Sequence, residues 1–271
     1  MSEPPRRPLL ELRGISKRFG AVQALSEVDF EVYPAEVVGL VGDNGAGKST
    51  LVKIIACAYR PDSGRYLFEG RTVEAATPGE AADLGIQTVY QDLALCENLD
   101  VVANLYLGRE GTRRWGPVGT RFLDEVGMEK KASDFVNELH VRIPSLRSTV
   151  ASLSGGQRQS IAVARAVMFN SKIVLLDEPT AALGVEQTRQ VKDLILRLRE
   201  KGLGVVVISH NLADVFEVTD RIVVLRLGKR VATFTTRESG QQKVVAAITG
   251  AEFGTTEVRP GRSNLLETLP P

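Results

Sequence analysis

The sequence has 271 residues, of which 43% are hydrophobic, so the chain can bury one large core or two small ones. Lysine and arginine number 34 and aspartate and glutamate 33; the resulting net charge of +1 gives no global field for attracting nucleic acid or an anionic membrane. The apolar runs are far shorter than the roughly 18 residues of a spanning helix, and no signal peptide is recognisable. Two cysteines and two histidines argue against a disulfide or zinc framework and fit a reducing compartment.

The first elements predicted along the chain form an antiparallel layer. Residues 1–8 contain three prolines and are expected to be a tail. Alternating apolar residues over 9–20 and 28–32 predict half-buried strands. The apolar run 37–41 then predicts a short buried strand that leads into a glycine-rich turn. The elements predicted next are a helix over about 48–58, a hairpin over 66–73, a helix over 78–84 and a strand over 86–90.

The rest of the chain predicts an inserted helical subdomain followed by alternating helices and strands. Residues 92–152 are expected to be mostly helical, with breaks around RRWGPVG, and the subdomain runs to about residue 170 with the helix that starts at Gly155. The alternation after it predicts a parallel sheet covered by helices. The single domain would span 9–250, with 251–271 as a C-terminal tail. Its later elements are strands over 173–176, 204–209 and 222–227 and helices over 185–201 and 212–218.

A phosphate-binding loop is predicted where the strand 37–41 ends. The segment GDNGAGKS has the pattern of a glycine, four residues, a glycine, a lysine and a hydroxyl. Backbone amides and a helix N-terminus would surround the β- and γ-phosphates, with Lys48 neutralising charge and Ser49 ligating Mg²⁺. A ligand-free glycine turn is the weaker interpretation, because lysine and serine stand where the chemistry needs them. The nucleotide-binding residues predicted here are Gly42, Asn44, Gly45, Ala46, Gly47, Lys48, Ser49 and Thr50.

Two adjacent carboxylates follow a second buried strand, 173–176. Asp177 and Glu178 would lie at the carboxyl edge of the sheet, where ligands of parallel sheets bind. Asp177 suits a Mg²⁺ contact, and Glu178 could polarise a water for attack on the γ-phosphate. Pro179 is expected to keep Glu178 in extended geometry, outside the next helix. An acidic turn cap is the alternative without chemistry.

A second anion site is predicted in the segment LSGGQ, at the start of a helix. Ser154 would cap this helix, and Gly155 and Gly156 would leave its first amides uncovered. Because one domain has little use for two γ-phosphate sites, this end is expected to dock on the nucleotide of a second copy. Ser154, Gly155, Gly156 and Gln157 are therefore also predicted to bind nucleotide, in a composite site.

The order of these motifs resembles the ATP-binding subunits of ABC transporters, over about residues 9–250. That resemblance implies that Gln91 contacts Mg²⁺ and senses a membrane partner, and that His210 contacts the γ-phosphate. It also implies that Phe19 stacks on adenine. A histidine capping the next helix and a phenylalanine of the core are the structural alternatives for the last two. One position departs from the family: Gly184 stands where many members have an aspartate that links the two active sites.

Finer features resemble the ATPases of bacterial monosaccharide importers of the ribose, xylose and fructose type, in particular a single-domain fructose importer ATPase. The carrying segments are NLYLGRE, GDNGAGKST and EPTAALGVEQ. The resemblance implies a homodimer on the cytoplasmic face of the bacterial inner membrane, bound to permease subunits and indirectly served by a periplasmic sugar-binding protein. A branched-chain amino-acid importer ATPase and a soluble ABC ATPase acting on ribosomes or DNA are the alternatives. A P-loop kinase or GTPase does not need LSGGQ, and no nucleic-acid partner is expected.

Overall fold

The computed structural model describes residues 7–74, 77–115 and 120–251. The antiparallel layer is a four-stranded sheet in the order β2-β1-β4-β5, and Leu12 pairs with Phe30 across β1 and β2. Both residues are completely buried, which confirms the half-buried strands predicted from the alternating pattern. The strands of this sheet are β1 (Leu10–Phe19), β2 (Val22–Val32), β4 (Ser63–Phe68) and β5 (Arg71–Thr72).

A six-stranded sheet forms the centre of the molecule, in the order β12-β11-β3-β10-β9-β6. Its pairs are parallel except that β12 runs antiparallel to β11. Continuous runs of valine, isoleucine and leucine form its inner strands because both sheet faces are covered. Its strands are β3 (Glu36–Val41), β6 (Ile86–Val89), β9 (Ile173–Asp177), β10 (Gly204–Ile208), β11 (Arg221–Arg226) and β12 (Lys229–Thr235).

Helices cover this central sheet and build the inserted subdomain. The predicted core stripe of the long helix 185–200 is confirmed, since Val191, Leu194, Ile195 and Leu198 are at most 1% exposed. None of the described helices combines the length and apolarity needed to cross a bilayer. The helices are α1 (Lys48–Ile55), α2 (Pro78–Leu84), α3 (Val101–Tyr106), α4 (Glu125–Glu138), α5 (Gly155–Val167), α6 (Val185–Glu200), α7 (Leu212–Val218) and α8 (Gln241–Thr249).

The two faces of the central sheet pack into separate apolar clusters. Val38 and Leu40 of β3 face the cluster that contains the antiparallel layer and α1. Val37, on the opposite face, joins the cluster formed with α3, α4, α5 and α6. The central sheet is therefore covered on one face by the antiparallel layer and α1, and on the other by α6 and the helices of the insert.

Two parts of the fold differ from the sequence prediction. The insert contains a short hairpin, β7 (Thr112–Trp115) paired with β8 (Thr120–Leu123), where only helices and breaks were expected. Beyond residue 227 the chain adds β12 and α8, which pack against β11 and had no predicted counterpart. Residues 116–119 of the predicted break, most of the N-terminal tail and 252–271 of the C-terminal tail lie outside the described residues.

Candidate functional site

The predicted chemical groups follow four neighbouring strands of the central sheet. The order β3-β10-β9-β6 places side by side the loop that begins at Gly42, the segment Ser209–His210, the pair Asp177–Glu178 and the segment that contains Gln91. All four strands are parallel, so these groups meet where the carboxyl ends of the strands form one edge of the sheet. This edge is the candidate catalytic edge. The structure thus brings together the motifs that lie far apart in the sequence.

The loop from Gly42 to Lys48 has the backbone geometry of a phosphate cradle. Gly42, Gly45 and Gly47 have φ values of 154°, 78° and 101°, a region that side chains avoid. A Cβ on Gly42 would lie 2.2 Å from the carbonyl oxygen of Leu225, and one on Gly47 would lie 2.7 Å from that of Ala24. The loop is therefore wedged against β2 and β11, with its amide groups around the start of α1.

Lys48 holds the loop through two carbonyl groups. Its Nζ donates to the oxygen of Gly42 at 2.7 Å and to that of Asp43 at 3.0 Å. Burial lowers the pKa of this ammonium, whereas the carboxylates of Glu178, Asp43 and Asp177 oppose that shift. A desolvated cation at a helix start favours a phosphate anion as its counter-charge.

Asp177 and Glu178 end β9 as predicted, but the backbone of Glu178 does not have the predicted extended geometry. Its φ is +50°, in the left-handed region, although Pro179 follows. The amide of Glu178 donates to the carbonyl of Ile208 at 2.9 Å, so pairing with β10 overrides the preference of a residue before proline. Burial, reinforced by the neighbouring Glu178 carboxylate, raises the pKa of Asp177.

His210 lies directly against Glu178. Its Nδ1 is 2.9 Å from Oε1 of Glu178, and Oγ of Ser209 is 3.4 Å from Oε2 of the same carboxylate. The imidazole is 77% exposed, whereas the Glu178 side chain is 17% exposed. His210 is therefore neither buried nor the cap of α7, because the side chain of Asn211 accepts from the amide of Ala213.

The residues at this edge fit Mg-ATP by their chemistry. The half-exposed loop supplies glycines where a Cβ would collide, and Ser49 and Asp177 supply the hard oxygen atoms that Mg²⁺ prefers. Among the described residues no three His, Cys, Asp or Glu side chains converge on a metal position. Ser49 and Asp177 fit Mg²⁺ in kind and number, because this ion is usually held by one or two protein oxygens together with nucleotide phosphates.

Phe19 is an exposed aromatic ring close to the loop. It ends β1 and pairs with Val22, two residues before Ala24, which contacts Gly47. Its ring is 43% exposed and lies edge-on to Tyr59, with a centroid distance of 5.3 Å. The alternative of a core phenylalanine is therefore wrong. The ammonium of Lys17 lies over the ring, 5.5 Å from its centroid, and stacking of the ring on adenine stays a prediction.

The LSGGQ segment begins α5 with the predicted serine cap. Oγ of Ser154 accepts from the amide of Gln157, and Oε1 of Gln157 accepts from the amide of Ser154. The atoms nearest to a Cβ on Gly155 and Gly156 belong to Leu183 and Gln187, around the start of α6. This exposed helix start packs on α6, and its contacts are not with the phosphate loop of the same chain.

Gln91 lies just beyond β6, at the outer strand of the catalytic edge, and is exposed. The segment that follows it is held by Arg165 of α5, whose guanidinium donates to the carbonyls of Leu93 and Ala94.

Sequence reasoning missed Arg165. It also missed Asp214, a buried acid of α7 that accepts from Thr180 and Asn211. In the sequence each is an ordinary charged residue of an amphipathic helix, so no pattern identifies it.

Relatives with known names match this chain over most of its length. The sequence profile of the ABC transporter family matches residues 25–181. The fructose import ATP-binding protein FrcA of Rhizobium meliloti is 47% identical over 91% of this chain and 96% of its own length. The xylose/arabinose import ATP-binding protein XylG of Sulfolobus acidocaldarius is 45% identical over 91% and 96%. The ribose import ATP-binding protein RbsA 1 of Rubrobacter xylanophilus is 43% identical, and this chain spans 50% of its length.

Solved structures agree with the sequence relatives. An ATP-binding cassette of an ABC transporter is 27% identical and superposes with a TM-score of 0.76 over 89% of this chain and 98% of its own. A dimeric cassette in a post-hydrolysis state, bound to ADP and Pi, is 26% identical with a TM-score of 0.69 over 84% and 99%. The chain belongs to the ABC transporter family and is one of its ATP-hydrolysing, ATP-binding cassettes.

Proposed function

We propose that this chain is the ATPase subunit of a bacterial importer and powers uptake of a monosaccharide through a separate membrane permease. The structural observation that supports this proposal is the separation of the two predicted anion sites. Lys48, Asp177, Glu178 and His210 meet at one sheet edge, whereas the start of α5 packs on α6. A second copy of the chain would place its Ser154–Gln157 segment on the γ-phosphate, and closure of that homodimer would drive the permease.

At each composite site, the loop residues bind the β- and γ-phosphates and Lys48 neutralises them. Phe19 stacks on the adenine, and the partner copy's Ser154, Gly155, Gly156 and Gln157 cover the γ-phosphate. Ser49, Gln91 and Asp177 would hold Mg²⁺, which supplies neutralisation of charge on the phosphate oxygens.

Glu178 polarises a water that attacks the γ-phosphorus, while His210 orients the γ-phosphate. The bond between that phosphorus and the bridging oxygen to the β-phosphate breaks, and ADP and phosphate leave. The 2.9 Å contact between Glu178 and His210 supports these two roles. It places Glu178, the proposed base, beside His210, the proposed contact of the γ-phosphate.

A sugar is the cargo that the relatives favour. The three described above are named for import of fructose, of xylose and arabinose, and of ribose. None of these three is named for import of an amino acid, so the branched-chain amino-acid alternative has no support from them. A periplasmic sugar-binding protein would deliver the substrate to the permease, and this chain would bind the permease at the cytoplasmic face of the inner membrane.

The inserted subdomain supplies a surface suited to the permease. A groove of about 180 Å³ lies between β6, the end of α3 and α5, and Arg109 lies over the ring of Phe169 beside it. Nε2 of Gln87, which lines the groove, is buried without a hydrogen-bond partner among the described residues. A docked permease segment would satisfy such a group, and its movement would reach Gln91 through the segment that Arg165 holds.

The proposal is tested by measuring uptake of labelled monosaccharides in a strain that lacks the gene for this chain. The wild-type chain is expected to restore uptake of one sugar, whereas Gln91→Ala is expected to lose uptake and permease-stimulated ATPase while ATP binding persists. Restoration of amino-acid uptake instead, or copurification with ribosomes or DNA instead of a permease, would contradict the proposal. Normal uptake with Gln91→Ala would contradict the coupling role alone.

A further inference from the structure

A buried carboxylate lies behind the catalytic edge. Asp214, in the first turn of α7, is 9% exposed. Its Oδ2 accepts from Oγ1 of Thr180 at 2.8 Å and from Nδ2 of Asn211 at 2.8 Å. Its Oδ1 is 3.3 Å from Nζ of Lys192 on α6. Three donors from three segments therefore converge on one buried acid.

The segments joined by Asp214 are those that carry the proposed catalytic pair. Thr180 follows Glu178 by two residues, and Asn211 follows His210 directly. Glu178 and His210 contact each other at 2.9 Å on the outer side of the same two segments. Asp214 thus closes a second bridge between the two loops, on the buried side.

This second bridge matters because the geometry of the catalytic pair depends on how the two loops lie against each other. Glu178 has a φ of +50°, which costs free energy and persists only where neighbouring contacts fix it. His210 is 77% exposed. A displacement of about 1 Å between reacting groups can lower a rate by about a hundredfold.

We propose that Asp214 is a positioning residue of the ATPase: it fixes the loop of Glu178 against the loop of His210 through Thr180 and Asn211. The proposal rests on the catalytic roles assigned to Glu178 and His210 above. The competing explanation is purely structural, since an acid in the first turn also stabilises a helix and pairs with Lys192.

Asp214→Asn tests the proposal, because the side chain keeps nearly the same shape and loses its charge. Its carboxamide keeps one acceptor oxygen for the three donors and turns an NH₂ group toward at least one of them; the charge that strengthens the bonds from Thr180 and Asn211 is also lost, so the bridge between the loops would weaken. We expect kcat to fall 10- to 100-fold, while the KM for ATP stays within about twofold. Glu217→Gln is the matched control, because it neutralises the exposed partner of Lys192 and leaves the bonds from Thr180 and Asn211 to Asp214; its kcat is expected to stay within twofold of wild type.

A second pair of variants covers the case in which Asp214→Asn does not fold. Thr180→Val removes one bond to Asp214, whereas Thr180→Ser keeps the hydroxyl. We expect Thr180→Val to lower kcat several-fold and Thr180→Ser to retain it. Equal kcat for these two variants would overturn the proposal.

The imidazole spectrum separates positioning from general stability. The chain has only two histidines, and His140 lies at the end of α4, so it serves as an internal reference. In ¹⁵N-labelled protein, Asp214→Asn is expected to move the ring signals of His210 and to leave those of His140 in place. Unchanged His210 signals, or a folded Asp214→Asn protein with kcat within twofold of wild type, would overturn the proposal. Wild-type turnover by Glu178→Gln would refute the role of Glu178 instead, and the His210 signals would still decide on Asp214.

Discussion

Opposite charges at the catalytic edge are partly desolvated in the same small volume. Burial lowers the pKa of Lys48 and raises that of Asp177. Burial therefore disfavours the charged form of each group, compared with the same group in water. Triphosphate oxygens and Mg²⁺ carry the complementary charges. This electrostatic arrangement supports the proposal that the site takes ATP together with Mg²⁺, and it predicts different effects for the ammonium of Lys48 and for the carboxylate of Glu178.

Lys48→Ala is expected to weaken ATP binding itself. The ammonium makes a charge-assisted contact with the ground-state phosphates, worth about 1.5 to 3 kcal/mol, so the Kd should rise roughly 10- to 100-fold. Titration with a fluorescent ATP analogue measures this directly, with Lys53→Ala on the same helix as control. Equal affinity of Lys48→Ala and wild type would contradict the assigned role.

Glu178→Gln is expected to keep ATP bound and to block turnover. The carboxylate acts on the attacking water and not on the ground-state nucleotide, so kcat should fall at least about a hundredfold with little change in Kd. Single-turnover hydrolysis measures the first quantity and equilibrium binding the second. Near-normal hydrolysis would show that another group activates the water.

Gly184→Asp is expected to be accepted by the fold. Gly184 caps α6 with an ordinary φ of −71°, and a Cβ at this position meets nothing within 4 Å. An aspartate would accept from the first free amides of the helix, so the free energy of unfolding should rise by a few tenths to about 1 kcal/mol. Urea denaturation monitors the change, and a clear loss of stability would contradict the open geometry described here.

At the scale of single elements, the start of α5 combines a structural and a functional task. The reciprocal bonds of Ser154 and Gln157 satisfy two of its end groups, while Gly155 is exposed and Gly156 is buried next to Gln187. Ser154→Ala is expected to lower the free energy of unfolding by about 1 kcal/mol, whereas Ser154→Thr should retain most of it. Thermal unfolding of the two variants compares them, and identical stability would show that the cap contributes nothing.

The elements that the sequence predicted correctly are those that obey a local rule. Buried parallel strands such as 37–41 and 173–176 show as continuous apolar runs, and each ends in a motif whose chemistry needs a sheet edge. The capped start of α5 follows from its own residues in the same way. These features supplied the fold class and the grouping of Lys48, Asp177 and Glu178.

The elements that the sequence did not predict depend on contacts across the fold. The strand β12 alternates only weakly and exists because β11 offers it a partner, and the hairpin β7–β8 is set by pairing within a polar insert. The left-handed backbone of Glu178 results from its bond to Ile208 and opposes the local effect of Pro179. The bridge through Asp214 joins residues 34 positions apart, so no short pattern could reveal it.

At the scale of the whole molecule, one chain presents half of each proposed active site on two different surfaces. The sheet edge carries the phosphate loop and the carboxylates, and the start of α5 lies on α6 with Gly155 exposed and Gly156 buried. The inserted subdomain connects both, because α5 holds the segment after Gln91 through Arg165. Closure of the proposed homodimer would thus assemble two active sites and move the inserted subdomains of both copies together.

The composite site is tested by measuring specific ATPase activity across a dilution series, with the molecular mass of each sample determined by light scattering. If the proposed site combines Lys48 and Glu178 of one copy with Ser154 and Gly156 of the other, the rate should rise more steeply than linearly with protein concentration until dimers form. Specific activity should then become constant. A specific activity that is independent of dilution, in samples whose mass is that of the 29.4 kDa monomer, would contradict the composite site.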